Sequence, residues 1–318
     1  MTQGRRLRDV GEHAWLTRVL PGLPSDARVV VGPGDDAAVL RPSRHPQVVT
    51  VDALVEGVHF RPGWASARRL GQRAFRVSVS DLAAMGALPR AVVLAVEAPA
   101  RCTERDLTAF VRGVAVEAQS CGSVLVGGNL SAGPKFAASL TIMGEARGKV
   151  ARRTGARSGD AIFVTGRVGG SAADVRALRA GRNIRWPLPP LRVAAGTALA
   201  RVASAMIDLS DGLVQDLEHV CRASGVGARI DVESVPMAQR IHALPAGRAR
   251  RLALYGGGDY ELLVTVPRRR HAALARMTAR LGCPLTRIGE IVKGDDVSLR
   301  MPSGELRPVE RAGYDHFR

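Results

Sequence analysis

The amino-acid sequence predicts an α+β protein of two domains, with helices and strands mixed in each half in partly α/β order. Three observations carry this. Apolar runs of strand composition recur along all 318 residues. Stretches with apolar residues at near-helical spacing lie among them in both halves. A 46% apolar content supplies cores for two domains of ordinary size. No low-complexity tract or short repeat interrupts the pattern, which excludes fibrous and disordered classes.

Taken in order, a polar amphipathic segment opens the chain, followed by strands at 27–31, 37–40 and 48–54, the first two separated by the Gly-Pro-Gly-Asp-Asp turn. Helices follow at 67–86, where Leu70, Ala74, Val77, Leu82 and Met85 are helically spaced, and at 103–119 behind Thr103 as N-cap. Strands are expected at 91–98, 123–128 and 136–146. The second half begins around 157–166, where Ser-Gly-Asp turns into an apolar strand. Helices at 170–181 and 191–203 flank the WPLPP loop. Next come a strand within AMIDLSDG (205–212), a helix to about 223, a strand at 228–232 and a helix near 247–254. The stretch YGGGDYELLVTV (255–266) reads as glycines turning the chain into a strand, followed by a helix at 270–281 and two last strands. The division falls between residues 148 and 156, which makes 1–150 and 151–318 the two domains.

The formal charge of +17 raises nucleic acid as a partner, but only Lys135, Lys149 and Lys293 of the 46 basic residues are lysines. The arginines are scattered over all element types, and the densest groups, Arg268 to Arg270 and Arg248 to Arg251, lack interleaved aromatics. A solvated basic surface with no specific nucleic-acid partner is the expectation. Cys102, Cys121, Cys221 and Cys283 form no CxxC pair and have no histidine at zinc-finger spacing, so they read as core thiols. The first twenty residues lack an apolar core of the kind a leader has, and no apolar run reaches membrane-helix length. A cytoplasmic location is expected.

The acids concentrate where strands meet glycine turns: Asp35 and Asp36 in GPGDDAAV, Asp52 and Glu56 in VDALVEGVHF, Asp81 in SVSDLAAMG, Asp208 and Asp211 in IDLSDGL. Clustered carboxylates repel and want a cation, and hard oxygen ligands select magnesium or calcium, magnesium commonly with nucleotide phosphate. Ordinary turn chemistry, a helix cap at Asp208 and a surface helix start at Asp81 are the competing readings. No GxxxxGK[ST], HRD, DFG or GxSxG motif is present, so any phosphoryl transfer uses another scaffold. A lone His59 near Glu56 has either a site or a merely structural role.

The series GPGDDAAVL, VDALVEGVHF, VSVSDLAAMGALPRAVVLAVEAP, LVGGN, RRTGARSGD, AMIDLSDGLVQDL, GGGDYELLVTV and GYDHF resembles the thiamine-monophosphate kinases, in order and over nearly the whole chain. This family belongs to the aminoimidazole ribonucleotide synthetase-like superfamily of ATP users. The resemblance implies an N-terminal ATP- and metal-binding domain whose β-sheet pairs with a second copy in a homodimer, and a C-terminal α+β domain. It implies transfer of the ATP γ-phosphoryl group to thiamine monophosphate with Mg2+. Asp36, Thr50, Asp52, Asp81, Asp208 and Asp211 would hold metal, with Asp52, Asp208 and Asp211 catalytic. Gly127, Gly128, Asn129, Arg153 and Ser210 would meet the nucleotide, and His59, Gly258 and Arg311 would lie at the substrate. Four positions depart from the family pattern: Val51 stands for a hydroxyl residue, Asn129 for Asp, Gly258 for Glu, and Arg311 for an aromatic. The alternatives are a paralogous kinase with another small phosphorylated acceptor and a weakened nucleotide-binding protein. A synthetase of the aminoimidazole-ribonucleotide type fits DLSDG and GYDHF less well.

Overall fold

The computed structural model describes residues 5–310. They divide into one unit made of the residues up to Leu82 together with Leu88–Arg147, and a second made of Ala83–Ala87 and the residues from Gly148 on.

In the first unit the polar opening segment forms α1 (Leu7–Val10) and α2 (Glu12–Val19). Strands β1 (Val29–Val31) and β2 (Val39–Leu40) pair antiparallel across the Gly-Pro-Gly-Asp-Asp turn. The main sheet contains β3 (Gln47–Val55), β4 (Leu88–Ala98), β5 (Val124–Ala132) and β6 (Ala137–Glu145) in the order β3-β6-β4-β5. β4 and β5 are parallel because α4 (Glu104–Ser120) carries the chain back between them. Thr103 caps α4 as expected, its Oγ1 accepting from the Asp106 amide at 3.1 Å.

One face of this sheet packs on α3 (Ala67–Ala84) and α4, burying Phe75, Leu82, Leu107, Phe110, Leu140 and Ile142. The two helices approach closely through paired glycines. A Cβ on Gly71 would lie 2.0 Å from the Phe110 carbonyl oxygen, and one on Gly113 would lie 2.2 Å from that of Arg68. The other face leaves Val49 and Val51 of β3 at 62% and 67% exposure.

The second unit holds a seven-stranded sheet in the order β13-β12-β9-β11-β7-β10-β8. Its strands are β7 (Ala161–Thr165), β8 (Ala205–Asp208), β9 (Gly227–Asp231), β10 (Leu262–Val266), β11 (Leu285–Val292), β12 (Val297–Arg300) and β13 (Leu306–Pro308). The helices are α5 (Gly170–Arg179), α6 (Val193–Leu199), α7 (Leu213–Ser224), α8 (Ala246–Tyr255) and α9 (His271–Thr278). Ile162, Val164, Ile207, Leu217, Val220, Ile230 and Leu263 are fully buried between the sheet and its helices.

Three expectations need correction. The end of the chain contributes three strands, since Leu306–Pro308 adds to β12. The strand expected within 123–128 continues to Ala132, because β4 supplies parallel partners as far as Ala98. The strand after the three glycines begins only at Leu262, because Tyr260 has φ +52, a value extended strands exclude.

Candidate functional site

In the first unit, strand alternation places Thr50 and Asp52 on one face of β3. Asp81 approaches them from within α3, and Thr50 Oγ1 donates to its Oδ2 at 2.5 Å. The surface-helix-start reading of Asp81 is thereby replaced: the residue lies in the last turn of the helix, against the sheet. Val51, between Thr50 and Asp52, presents its side chain to the opposite, exposed face.

A cleft of about 730 Å³ opens beside this sheet, within the size range of small-molecule sites. Trp15, Leu16 and Val19 of α2 form one wall, and Gly127, Gly128 and Asn129 of β5 form another. The turn carrying Asp36 completes it, so Asp36 and the three β5 residues share one concavity. The two glycines differ. A Cβ on Gly127 would meet nothing within 4 Å, leaving its backbone open to a ligand, whereas one on Gly128 would lie 2.0 Å from the Leu94 carbonyl oxygen. Gly128 is thus required by the close approach of β4 and β5, next to the register shift at Val92/Val93.

His59 sits in a tight loop closed by Gly57 at φ +87, where the Gly57 amide donates to the Phe60 carbonyl at 2.7 Å. Its Nδ1 accepts from the Val55 amide at 3.0 Å, which puts the ring proton of neutral His59 on Nε2. Glu56 in the same loop is ion-paired with Arg101 and accepts from the Phe136 amide at 3.2 Å.

In the second unit Asp208 ends the edge strand β8 opposite Leu262 and is 5% exposed. The N-cap position of α7 is held by Gly212, which makes no side-chain cap bond, and not by Asp208. Between them the Leu209–Gly212 turn is held by backbone bonds to the three-glycine stretch. The Gly258 amide donates to the Ser210 carbonyl at 2.7 Å, and the Tyr260 amide donates to the Leu209 carbonyl at 2.8 Å. Gly258 has φ +84, so backbone conformation alone favours glycine there. Asp259 serves the scaffold, accepting from the Gly169 and Ser171 amides at 2.6 and 3.0 Å at the start of α5. Burial pushes its carboxyl up to about 7 against the pull of those two amides.

Sequence reasoning missed the tightest group. Asp216, in the first turn of α7, accepts from the amides of Asp211 and Gly212, each at 3.1 Å. Asp211, Asp216 and His219 each offer one ligand atom, all within 4.8 Å of one another. Burial, then the charges of Asp211 and Asp208, push Asp216 up to about 8, with the two amides pulling the other way. Burial, followed by the positive charge of Arg153, pushes His219 down, so Arg153 lies within electrostatic reach of His219. A signal was present: Asp216 and His219 are three apart on one helix face, five residues beyond Asp211. Arg311 lies outside the described residues.

This oxygen-rich set of buried, mutually repelling carboxylates fits a hard divalent cation, which would offset the repulsion. Such acid turns on a two-domain α+β scaffold define a class, and family models match accordingly. Residues 34–148 match the AIR synthase related protein N-terminal domain, and residues 157–302 match its C-terminal domain.

A thiamine-monophosphate kinase of Salmonella typhimurium is 38% identical over 96% of this chain and 98% of its own length. The crystal structure of thiamine-monophosphate kinase from Stenotrophomonas maltophilia superposes with a TM-score of 0.81 at 36% identity, covering 93% of this chain and 96% of its own. A solved complex of AaThiL with AMPPCP and TMP superposes at 0.77 with 29% identity, covering 98% and 99%. The chain belongs to the thiamine-monophosphate kinase family.

Proposed function

We propose that the protein transfers the γ-phosphoryl group of ATP to thiamine monophosphate, giving thiamine diphosphate and ADP. The near-full-length kinship with thiamine-monophosphate kinases carries this reading. An oxygen of the acceptor's phosphate forms the new bond to phosphorus as the bond to the leaving ADP oxygen breaks. No covalent enzyme intermediate is needed.

We assign the N-terminal domain, residues 1–150, to ATP and metal binding and to dimerisation, and residues 151–318 to the C-terminal domain. Asp36, Thr50, Asp52 and Asp81 of the one, and Asp208 and Asp211 of the other, would hold magnesium, joined by Asp216. Bound there, magnesium supplies neutralisation of phosphate charge. Gly127 offers open backbone to the nucleotide, with Gly128, Asn129, Arg153 and Ser210 beside it in role. His59 meets the acceptor as a donor through Nε2. The backbone bonds from Gly258 and Tyr260, with Asp216 beneath, hold the Ser210–Asp211 turn in place before ligands arrive, which lowers the reorganisation needed during transfer.

The exposed Val49 and Val51, with Thr141, Met143 and Val93 on the same sheet face, fit pairing with a second copy of the chain. Val51→Lys should shift the sedimentation of the purified protein to monomer; an unchanged monomeric or dimeric profile would refute this interface. No described helix is long and apolar enough to cross a membrane, all four cysteines are free thiols, and a cytoplasmic location fits both. The reaction is tested by incubating the protein with ATP, magnesium and thiamine monophosphate. Thiamine diphosphate should accumulate, and its absence while ATP still binds rules out this acceptor.

A further inference from the structure

A second concavity, of about 230 Å³, lies in the second unit at the other end of β8 from Asp208. Ser204 lines it, and the four residues from there to Asp208 span roughly 13 Å of extended chain. Its walls are the 149–157 segment, the start of β8 and the Pro267–Arg270 turn.

The charge in this small space is one-sided. Lys149, Arg152, Arg157, Arg269 and Arg270 all line it, and Asp160 is its single acid. Asp160 is spent on the scaffold, its Oδ2 accepting from the Arg157 amide at 3.0 Å and from Ser204 Oγ at 2.6 Å. Among the described residues none of the five cations has a carboxylate partner. Lys149 Nζ donates to the Ala203 carbonyl at 2.5 Å, and Arg270 donates to the Arg201 carbonyl. Burial, followed by the charges of Arg270 and Arg152, pushes the Lys149 amine down.

Charges standing singly on a solvated surface repel one another little, because salt screens them. Lys149, Arg152, Arg157 and Arg269 are exposed and Arg270 is half-buried, yet all five line one hollow, where their like charges and N–H donors together favour a polyvalent oxyanion. The volume falls below the ~300 Å³ at which drug-sized sites begin, which selects a small anion over a whole nucleotide. Thr154 and Ser204 add hydroxyl donors at its edge.

We propose that this hollow is a second anion site, separate from the acid turns, that binds a small polyvalent oxyanion of the phosphate or diphosphate class. Titration of the full chain with inorganic diphosphate in chelator, where the metal-free acids repel anions, tests it by calorimetry. Saturable binding is expected, and Arg152→Ala/Arg270→Ala should weaken it by about tenfold or more, the loss of two charge-assisted contacts. Arg276→Ala/Arg280→Ala removes the same charge outside the hollow and should change it less than about twofold. Arg152→Gln/Arg269→Gln, which removes no hydrogen bond of the described chain, answers the same question if the first variant misfolds. Absence of saturable binding, or equal weakening in the pocket and control variants, overturns the site.

Discussion

Glu145 and Asp216 are both buried carboxylates, one in each unit, and their surroundings move them in opposite directions. Glu145, at the end of β6, accepts from Ser43 Oγ at 2.7 Å, from Arg90 at 2.6 Å and from Arg147 at 2.7 Å. Burial alone would raise it, but the bonds from Ser43, Arg147 and Arg90 outweigh that and hold it at about 2. Asp216 is given two backbone amides and two neighbouring acids, and stands at about 8. Glu145 serves the framework and receives its cations, Arg90 and Arg147, from the chain itself. A carboxylate that gathers with other acids in the wall of a turn leaves that role to an ion from outside.

The largest expected effect breaks the cluster's chemistry and spares the framework. Asp208→Asn keeps the size and burial of the side chain but removes a charge, and should lower thiamine diphosphate formation by about a thousandfold, since metal-mediated charge stabilisation amounts to several kcal/mol. Thermal unfolding should stay close to that of the parent protein. Full activity in this variant would remove the cluster from the mechanism.

The paired acid is probed by pH. Because the folded value of Glu145 lies below its ordinary 4.5, its contribution is complete above about 4.5 and is lost as pH falls towards about 2. At about 1.4 kcal/mol per pH unit between those values, the loss is on the order of 3 kcal/mol. In Glu145→Gln the denaturation midpoint should lose that acid-side slope, and an unchanged slope would assign it to other carboxylates.

A smaller effect separates the two tasks of Asp216. Asp216→Ala strips the amides of Asp211 and Gly212 of their acceptor and should cost about 2 kcal/mol in chemical denaturation. Asp216→Asn keeps one acceptor oxygen and should recover most of that stability while activity remains low. Recovery of activity in the Asn variant would reduce Asp216 to a support for the turn.

Much of this was legible in the residues in order. The apolar periodicity, the glycine turns and the Thr103 cap each act over a few neighbouring positions, and they specify an α+β chain of two domains with acids at its strand ends. The motifs containing Asp36, Asp52, Asp81, Asp208 and Asp211 were visible for the same reason, being contiguous with the turns that expose them. The spacing of Asp216 to His219 was visible in the sequence, but its hold on the amides of Asp211 and Gly212 was not, since backbone partners carry no sequence signature. The late start of β10 was hidden because Tyr260 adopts a positive φ that its residue type does not announce.

Tertiary structure alone decided how those pieces are used. Thr50 meets Asp81 across 31 positions of sequence because β3 lies against α3. Gly127 and Gly128 look alike in LVGGN, yet strand pairing gives one to open space and the other to the Leu94 carbonyl. Five cations from segments a hundred residues apart line one hollow only because β7, β8 and β10 are neighbours in the sheet. Local propensity determines which elements form. The charge each side chain meets depends on long-range pairing, and Coulomb interactions follow distance in space.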